Sequence, residues 1–136
     1  MLWIRPSVRC LKKYLSDNPV DAVISTGPPH SAHLIAKKTA LQYNIPWIAD
    51  FRDPWTNIDY FSELKLTAWA LKKHQRLEKE VLQSASKVVT VSETWVKLFN
   101  NLGERDDSIC ITNGYDTDDF KSDRVRNDEK FRVVHV

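Results

Sequence analysis

The segment Asp50-Phe-Arg-Asp-Pro-Trp55 contains the densest group of side chains that can do chemistry. Two carboxylates beside the guanidinium of Arg52 can bind several hydroxyl groups of a sugar, and the indole of Trp55 can stack on a sugar's C–H face. An ion pair between Arg52 and Asp53 that only fastens the loop fits the same residues. Since clustered charges mark functional sites only statistically, both interpretations stay open. We predict Asp50, Arg52 and Asp53 as the catalytic residues.

A second candidate segment is Thr26-Gly-Pro-Pro-His-Ser31, which separates an apolar run from a helical pattern. Gly27 permits a close backbone approach, and Ser31 is predicted to cap the helix that follows. Free N–H groups at such a helix start favour an anion or a sugar hydroxyl. His30 can donate, accept or move a proton, although a lone histidine is more often a surface residue. The predicted substrate-binding residues are Thr26, Gly27, Pro29, His30, Trp55 and the turn residues Asn113 and Gly114.

Metal and cofactor chemistry has little support in the sequence. Asp50, Asp53 and His30 carry atoms that bind hard metals, but their spacing matches no metal motif. A phosphate-loop signature, G-x-G-x-x-G, a serine elbow and H-E-x-x-H are all absent from the sequence. We therefore predict no metal site and no cofactor.

The elements that must position these residues alternate between strand and helix. Such alternation predicts an α/β fold with a parallel sheet, in which ligands bind beyond the carboxyl ends of the strands. Ser92 is predicted to cap the fourth helix and Gly103 to end it as a left-handed glycine. The predicted helices are Trp3–Ser16, Ala32–Tyr43, Phe61–Ala85 and the one from Ser92 to Gly103. The predicted strands are Asp21–Thr26, Ile45–Asp50, Lys87–Val91, Ser108–Thr112 and Phe131–Val136.

Composition excludes several classes of protein. The formal net charge of +2 over 136 residues argues against a dedicated nucleic-acid binder. No apolar run is long enough to span a bilayer, and two cysteines form no disulfide framework, so we expect a cytoplasmic protein with reduced thiols. The basic run Lys72-Lys73-His74-Gln75-Arg76 is typical of a solvated helix face, and contact with anionic lipid is the alternative.

Four segments together resemble bacterial family-4 glycosyltransferases. They read Ile24-Ser-Thr-Gly-Pro-Pro-His-Ser-Ala-His-Leu34, Ile45-Pro-Trp-Ile-Ala-Asp-Phe-Arg-Asp-Pro-Trp-Thr56, Val89-Thr-Val-Ser92 and Ile111-Thr-Asn-Gly-Tyr-Asp116. The resemblance implies a retaining enzyme of the GT-B fold that moves a sugar from a nucleotide-sugar donor to a glycan or lipid-linked acceptor in surface-polysaccharide synthesis. Where the family carries a histidine-containing segment this sequence has Asp-Phe-Arg-Asp, so only the location of that loop transfers and not the role of a histidine.

The resemblance also implies how the chain is organised. Residues 1–115 would be the second half of the acceptor-binding domain, a partial Rossmann-like doubly wound sheet. Residues 116–130 would be the interdomain linker, and residues 131–136 the first strand of the donor domain. The paired glutamates with which the family binds the donor are not in this sequence. We therefore expect the 136 residues alone to be inactive and the donor to bind through the missing domain.

Two other functions remain open from the residues: a non-catalytic module that binds carbohydrate or an anion, and a hydrolase that uses His30 with Asp50 or Asp53. We also expect peripheral contact with the inner face of a membrane. Self-association is expected too, because the strand Asp21–Thr26 would be left as an open sheet edge.

Overall fold

The computed structural model describes residues 2–120, in which helices and strands alternate. The predicted strand Phe131–Val136 and the predicted linker from residue 121 onward lie outside the described residues. The helices are α1 (Ile4–Asp17), α2 (Ser31–Tyr43), α3 (Ala68–Ser84) and α4 (Glu93–Gly103), with 3-10 helices at Asp59–Leu64 and Thr117–Phe120. The strands are β1 (Val23–Gly27), β2 (Trp47–Phe51), β3 (Lys87–Thr90) and β4 (Ile109–Cys110).

The four strands form one parallel sheet in the order β1-β2-β3-β4. The register places Thr26 beside Asp50 and Phe51 beside Thr90, so the carboxyl ends of the first three strands meet at one edge. Helical connections between parallel neighbours give the predicted α/β class and a partial Rossmann-like sheet. In the described part of the sheet β1 is an edge strand. Self-association through that edge stays a prediction.

The two faces of the sheet differ in burial. Strand residues on one face, such as Trp47, Phe51 and Val88, are buried in a single apolar core with side chains from all four helices. On the other face Ile24 is 70% exposed and Ile111 is 60% exposed. Because side chains alternate along a strand, each strand sends every second residue to this face, on which none of the helices α1–α4 packs, and we call it the helix-free face.

The predicted helix Phe61–Ala85 is wrong, because two helices occupy this stretch. The 3-10 helix ends at Leu64, Lys65 takes a left-handed conformation with φ of 45°, and α3 begins at Ala68. Thr67 caps α3, since its Oγ1 accepts a hydrogen bond from the Ala70 amide over 3.2 Å. The break moves the start of α3 away from the core, and Trp69 in its first turn is 71% exposed.

Of the three predicted helix ends, one is confirmed and two are wrong. The cap at Ser92 is confirmed, since its hydroxyl accepts from the Trp95 amide over 3.3 Å. The cap at Ser31 is wrong, because α2 already begins there and Ser31 Oγ instead accepts from Trp3 Nε1 over 3.0 Å. Gly103 is the last residue of α4 rather than its left-handed terminator, a conformation that Glu104 adopts with φ of 52°. A Cβ on Gly103 would lie 3.0 Å from the Leu82 Cβ, so close packing of α4 on α3 explains the glycine.

Candidate functional site

The carboxyl ends of β1 and β2 bring two predicted site residues into direct contact. Thr26 Oγ1 donates a hydrogen bond to Asp50 Oδ2 over 2.8 Å. One residue past β2, the Arg52 amide donates to the Gly27 carbonyl over 3.3 Å, so the pairing of the two strands continues into the loop. The Thr26 hydroxyl therefore fixes the direction of the Asp50 carboxylate at the strand end.

An open cavity of about 440 Å³ lies on the helix-free face of the sheet. Asp50 and Arg52 line it from the end of β2, and Asn113 and Gly114 line it from the turn after β4. Its remaining lining is mainly aliphatic, from Ile24, Ile48, Val89, Val91 and Ile111. An apolar floor with a few convergent polar groups is typical of small-ligand sites.

Arg52 is exposed in this cavity and its guanidinium is unpaired. The ion pair with Asp53 is not formed, and no other residue between 2 and 120 makes a salt bridge or side-chain hydrogen bond with Arg52. The five N–H donors of the guanidinium are thus free for a ligand. A residue other than Arg52 must therefore hold the loop in place.

That residue is Glu78, which the sequence analysis did not single out. Its side chain is only 2% exposed and lies beneath the loop. Oε1 accepts from the Trp55 amide over 3.0 Å and from the Thr56 amide over 3.4 Å, while Oε2 accepts from Thr56 Oγ1 over 2.5 Å. Burial raises the pKa of the Glu78 carboxyl, against the opposing effect of these hydrogen bonds. A signal was present, because Glu78 lies three and four residues before the core residues Val81 and Leu82 and so on the buried face of α3.

The side chain of Trp55 is also held in place. The prediction that its indole stacks on a sugar therefore needs correction. The side chain is 5% exposed, and its Nε1 donates to His74 Nδ1 over 3.0 Å. The His30 ring stacks on the indole with ring centres 5.3 Å apart and planes 14° apart. Burial and stacking leave the indole without the open face that a sugar would need.

Two histidines lie on the helix-covered side of the strand ends. His33 is fully buried, with Nδ1 2.8 Å from Ser25 Oγ, and the same hydroxyl accepts from Trp47 Nε1 over 2.8 Å. Burial lowers the pKa of His33 to about 3. Burial also lowers the pKa of His30 to about 4, although the charge of Asp53 and a hydrogen bond to the Pro54 backbone act in the opposite direction. Both rings are therefore neutral at pH 7.

Gly27 lies between these two rings. His30 Nδ1 and His33 Nε2 are buried and find no hydrogen-bond partner among residues 2–120. A Cβ on Gly27 would lie 2.7 Å from His33 Nε2 and 2.8 Å from His30 Nδ1. Glycine is required here because the imidazoles occupy the space that any side chain would fill.

The structure thus divides the predicted site residues between the two faces of the sheet. Thr26, Asp50, Arg52, Asn113 and Gly114 belong to the helix-free side, where the cavity is. Gly27, His30 and Trp55 pack with the helix layer, Asp53 acts on His30 through its charge, and Pro29 is exposed, with its carbonyl accepting from the Ala32 amide over 2.9 Å. For the residues other than Trp55, a direct contact with substrate stays a prediction.

The described residues contain neither a metal-binding cluster nor a membrane-spanning helix. Between residues 2 and 120, no group of three or more histidine, cysteine or acidic side chains is placed to hold a metal ion. None of the helices in the same range has the length and apolar character needed to cross a bilayer.

We predict that Gly27→Ala lowers the free energy of unfolding by about 1–3 kcal/mol, because the new Cβ overlaps two packed imidazoles. Urea unfolding followed by fluorescence measures the change. Gly114→Ala is the matched control, since no atom lies within 4 Å of the added Cβ, and it should change stability by less than about 0.5 kcal/mol. Equal effects of the two substitutions would contradict the close packing around Gly27.

His33 makes stability depend on pH in a defined direction. Because its folded-state pKa is about 3 and its ordinary value is 6.5, the unfolded chain binds a proton below pH 6.5 that the folded chain does not. Stability should therefore fall on acidification from pH 7 to pH 5, by up to about 1.4 kcal/mol per pH unit for this residue. Urea unfolding of wild type and of His33→Gln across this range should give a steeper fall for wild type, since other groups with shifted pKa, including His30, His74 and Glu78, are present in both. Parallel curves would refute a buried neutral His33.

Comparison with known proteins identifies the family of the chain. The glycosyl transferase 4-like domain matches residues 3–114. A search of curated proteins found no match, and neither did a search of solved structures. The matched residues include strands β1–β4, the loop after β2 that Glu78 holds in place (the anchored loop) and the lining of the cavity. The chain therefore belongs to the glycosyl transferase 4-like domain family.

Proposed function

We propose that this chain supplies the acceptor side of a retaining glycosyltransferase, and that the cavity on the helix-free face receives the reacting sugars. The donor is a nucleotide-activated sugar, and the acceptor is a glycan or a lipid-linked glycan in surface-polysaccharide synthesis. Family membership supports glycosyl transfer in general. The finer assignment rests on the residues that line the cavity.

The unpaired guanidinium of Arg52 is the observation that carries the proposal. It lies at the end of β2 in a cavity of about 440 Å³, next to a carboxylate that the Thr26 hydroxyl holds in one direction. A guanidinium can donate to sugar hydroxyls or to phosphate oxygens, and a fixed carboxylate can accept from a hydroxyl. Arg52 and Asp50 together can therefore orient an acceptor hydroxyl and stabilise the charge that develops as the donor's leaving group departs.

Glycosyl transfer of this kind depends on positioning and electrostatics more than on one nucleophile. The reacting sugar passes through an oxocarbenium-like state, which preorganised dipoles and charges stabilise. The backbone at Arg52 is fixed before substrate arrives, because its amide is paired with the Gly27 carbonyl and Glu78 holds the loop that follows. Asp53 follows Arg52 on the same loop but lies half-buried beside His30 and is not part of the cavity lining, so its catalytic role stays a prediction.

The proposal assigns the donor to another part of the protein. Residues 1–115 would form the acceptor half-domain, residues 116–130 the linker and residues 131–136 the first strand of the donor domain. The hydrolase alternative loses support, because the unpartnered nitrogen of His30 is buried against Gly27, and Asp50 lines the cavity on the other face. No observation specifically favours the non-catalytic module.

We predict that Arg52→Ala lowers turnover about 100-fold in the full-length protein that contains this chain, because a transition-state contact is lost. Release of nucleoside diphosphate from a panel of uridine- and guanosine-diphosphate sugars, with glycan or lipid-linked acceptors, measures the rate. Arg9→Ala removes an exposed arginine from α1 and serves as the matched control. The melting temperature should not change in either variant, since neither side chain is buried.

Two results would overturn this assignment. Full activity of Arg52→Ala would remove Arg52 from the reaction. Unfolding of Arg52→Ala with normal specific activity in the folded remainder would give the guanidinium a purely structural role.

A further inference from the structure

Exposed apolar side chains are concentrated where the chain enters α3. Tyr60 and Leu64 are each 53% exposed, Leu66 is 37% exposed and Trp69 is 71% exposed. All four lie within ten consecutive residues, on the 3-10 helix, the left-handed turn and the first turn of α3. Large apolar side chains grouped in this way, away from the core, are typical of a surface that binds a partner.

Unpaired basic side chains continue the same surface. Trp69, Lys72, Lys73 and Arg76 have the spacing of one helix face, and together they line a shallow depression. Lys73 Nζ lies 4.8 Å from the centre of the Trp69 ring, a cation–π contact. Within the described range Lys65, Lys72 and Lys73 make no ion pair, whereas Arg76 is held by Glu80 over 3.4 Å. We call Tyr60, Leu64, Lys65, Leu66, Trp69, Lys72 and Lys73 the basic-aromatic surface.

The charge of the segment favours an anionic partner. Residues 59–76 contain four lysines and arginines against two acidic residues, Asp59 and Glu63, both of which lie on the 3-10 helix before the lysines. His74 adds no charge at pH 7, because burial and the neighbouring Lys73 lower its pKa. A soluble polyanion would need only the lysines and would leave the tryptophan and leucines in water.

We propose that the basic-aromatic surface docks on a bilayer that contains anionic lipids. Lysines attract anionic headgroups, while Trp69, Leu64 and Leu66 enter the boundary between headgroups and acyl chains. Tyrosine and tryptophan are enriched at that depth because they are apolar with one polar end. The proposal goes beyond glycosyl transfer and does not require it, although the anchored loop links the two regions through the Trp55–His74 hydrogen bond.

Vesicle cosedimentation of the 136-residue chain tests the proposal. Vesicles of phosphatidylglycerol and phosphatidylcholine in a 30:70 ratio are compared with pure phosphatidylcholine, at low and at physiological salt. Lys72→Gln with Lys73→Gln should weaken binding about 25-fold, since each basic side chain near an anionic surface contributes roughly a factor of five. Trp69→Ser should weaken it at least about fivefold through lost apolar contact.

The matched control is Lys38→Gln with Lys97→Gln, which removes the same charge from exposed positions on α2 and α4. This variant should bind within about twofold of wild type. Circular dichroism confirms that every variant is folded, which is the expected outcome because none of the substituted side chains is buried.

Several results would overturn the proposal. An equal loss of binding in the two lysine variants would show that only net charge matters. Unchanged binding of Trp69→Ser, with equally tight binding to heparin, would identify a site for soluble polyanions. Absence of binding to the anionic vesicles by wild type would reject the docking surface, with no consequence for the transferase assignment.

Discussion

The buried carboxylate of Glu78 is the interaction on which the rest of the site depends. It accepts hydrogen bonds from two backbone amides and one hydroxyl of the Trp55–Thr56 segment, and it is 2% exposed. Burying a carboxylate is costly unless its oxygens are satisfied, so the loop and α3 stabilise each other. Because Trp55 is fixed in this way, residues 52–54 leave β2 in one direction. Arg52 is therefore held at the rim of the cavity, although it has no ion pair of its own.

The second constraint is the alternation of side chains along the strands. Asp50 and Arg52 face the helix-free side with the cavity, whereas Phe51 between them is fully buried, with its ring 4.4 Å from His33 and 4.9 Å from Phe99 between centres. Neighbours in the sequence therefore belong to two different environments. One environment is apolar and uncharged and contains His30 and His33, whose pKa values are lowered. The other environment is open to solvent and charged. The proposed chemistry belongs to the open side, and the packing that supports it belongs to the other.

Four of the five predicted strands correspond to β1–β4, because apolar runs between Pro, Gly and Asn are strong local signals, and the fifth, Phe131–Val136, lies outside the described residues. The cap at Ser92 followed from local chemistry in the same way. Failures came where packing or a local break decided the outcome. Lys65 takes a left-handed conformation that its residue type does not favour, so the break before α3 had no strong signal. Gly103 looked like a helix terminator, yet its small size serves packing against Leu82. Glu78 was overlooked because a charged residue in a helix is usually solvated, and only its position on the apolar face marked it as buried.

The central claim is that Glu78 fastens the loop that presents Arg52, and hydrogen exchange of individual amides tests it most directly. In Glu78→Ala, the Trp55 and Thr56 amides should lose protection at least about tenfold, because their acceptor is gone, while the β2 amides of Ala49 and Phe51 keep theirs. Glu80→Ala, which removes a part-exposed glutamate two residues further along α3, should leave all four amides unchanged. Unchanged protection of Trp55 and Thr56 in Glu78→Ala would contradict the account, since the loop would then be held by something other than this carboxylate.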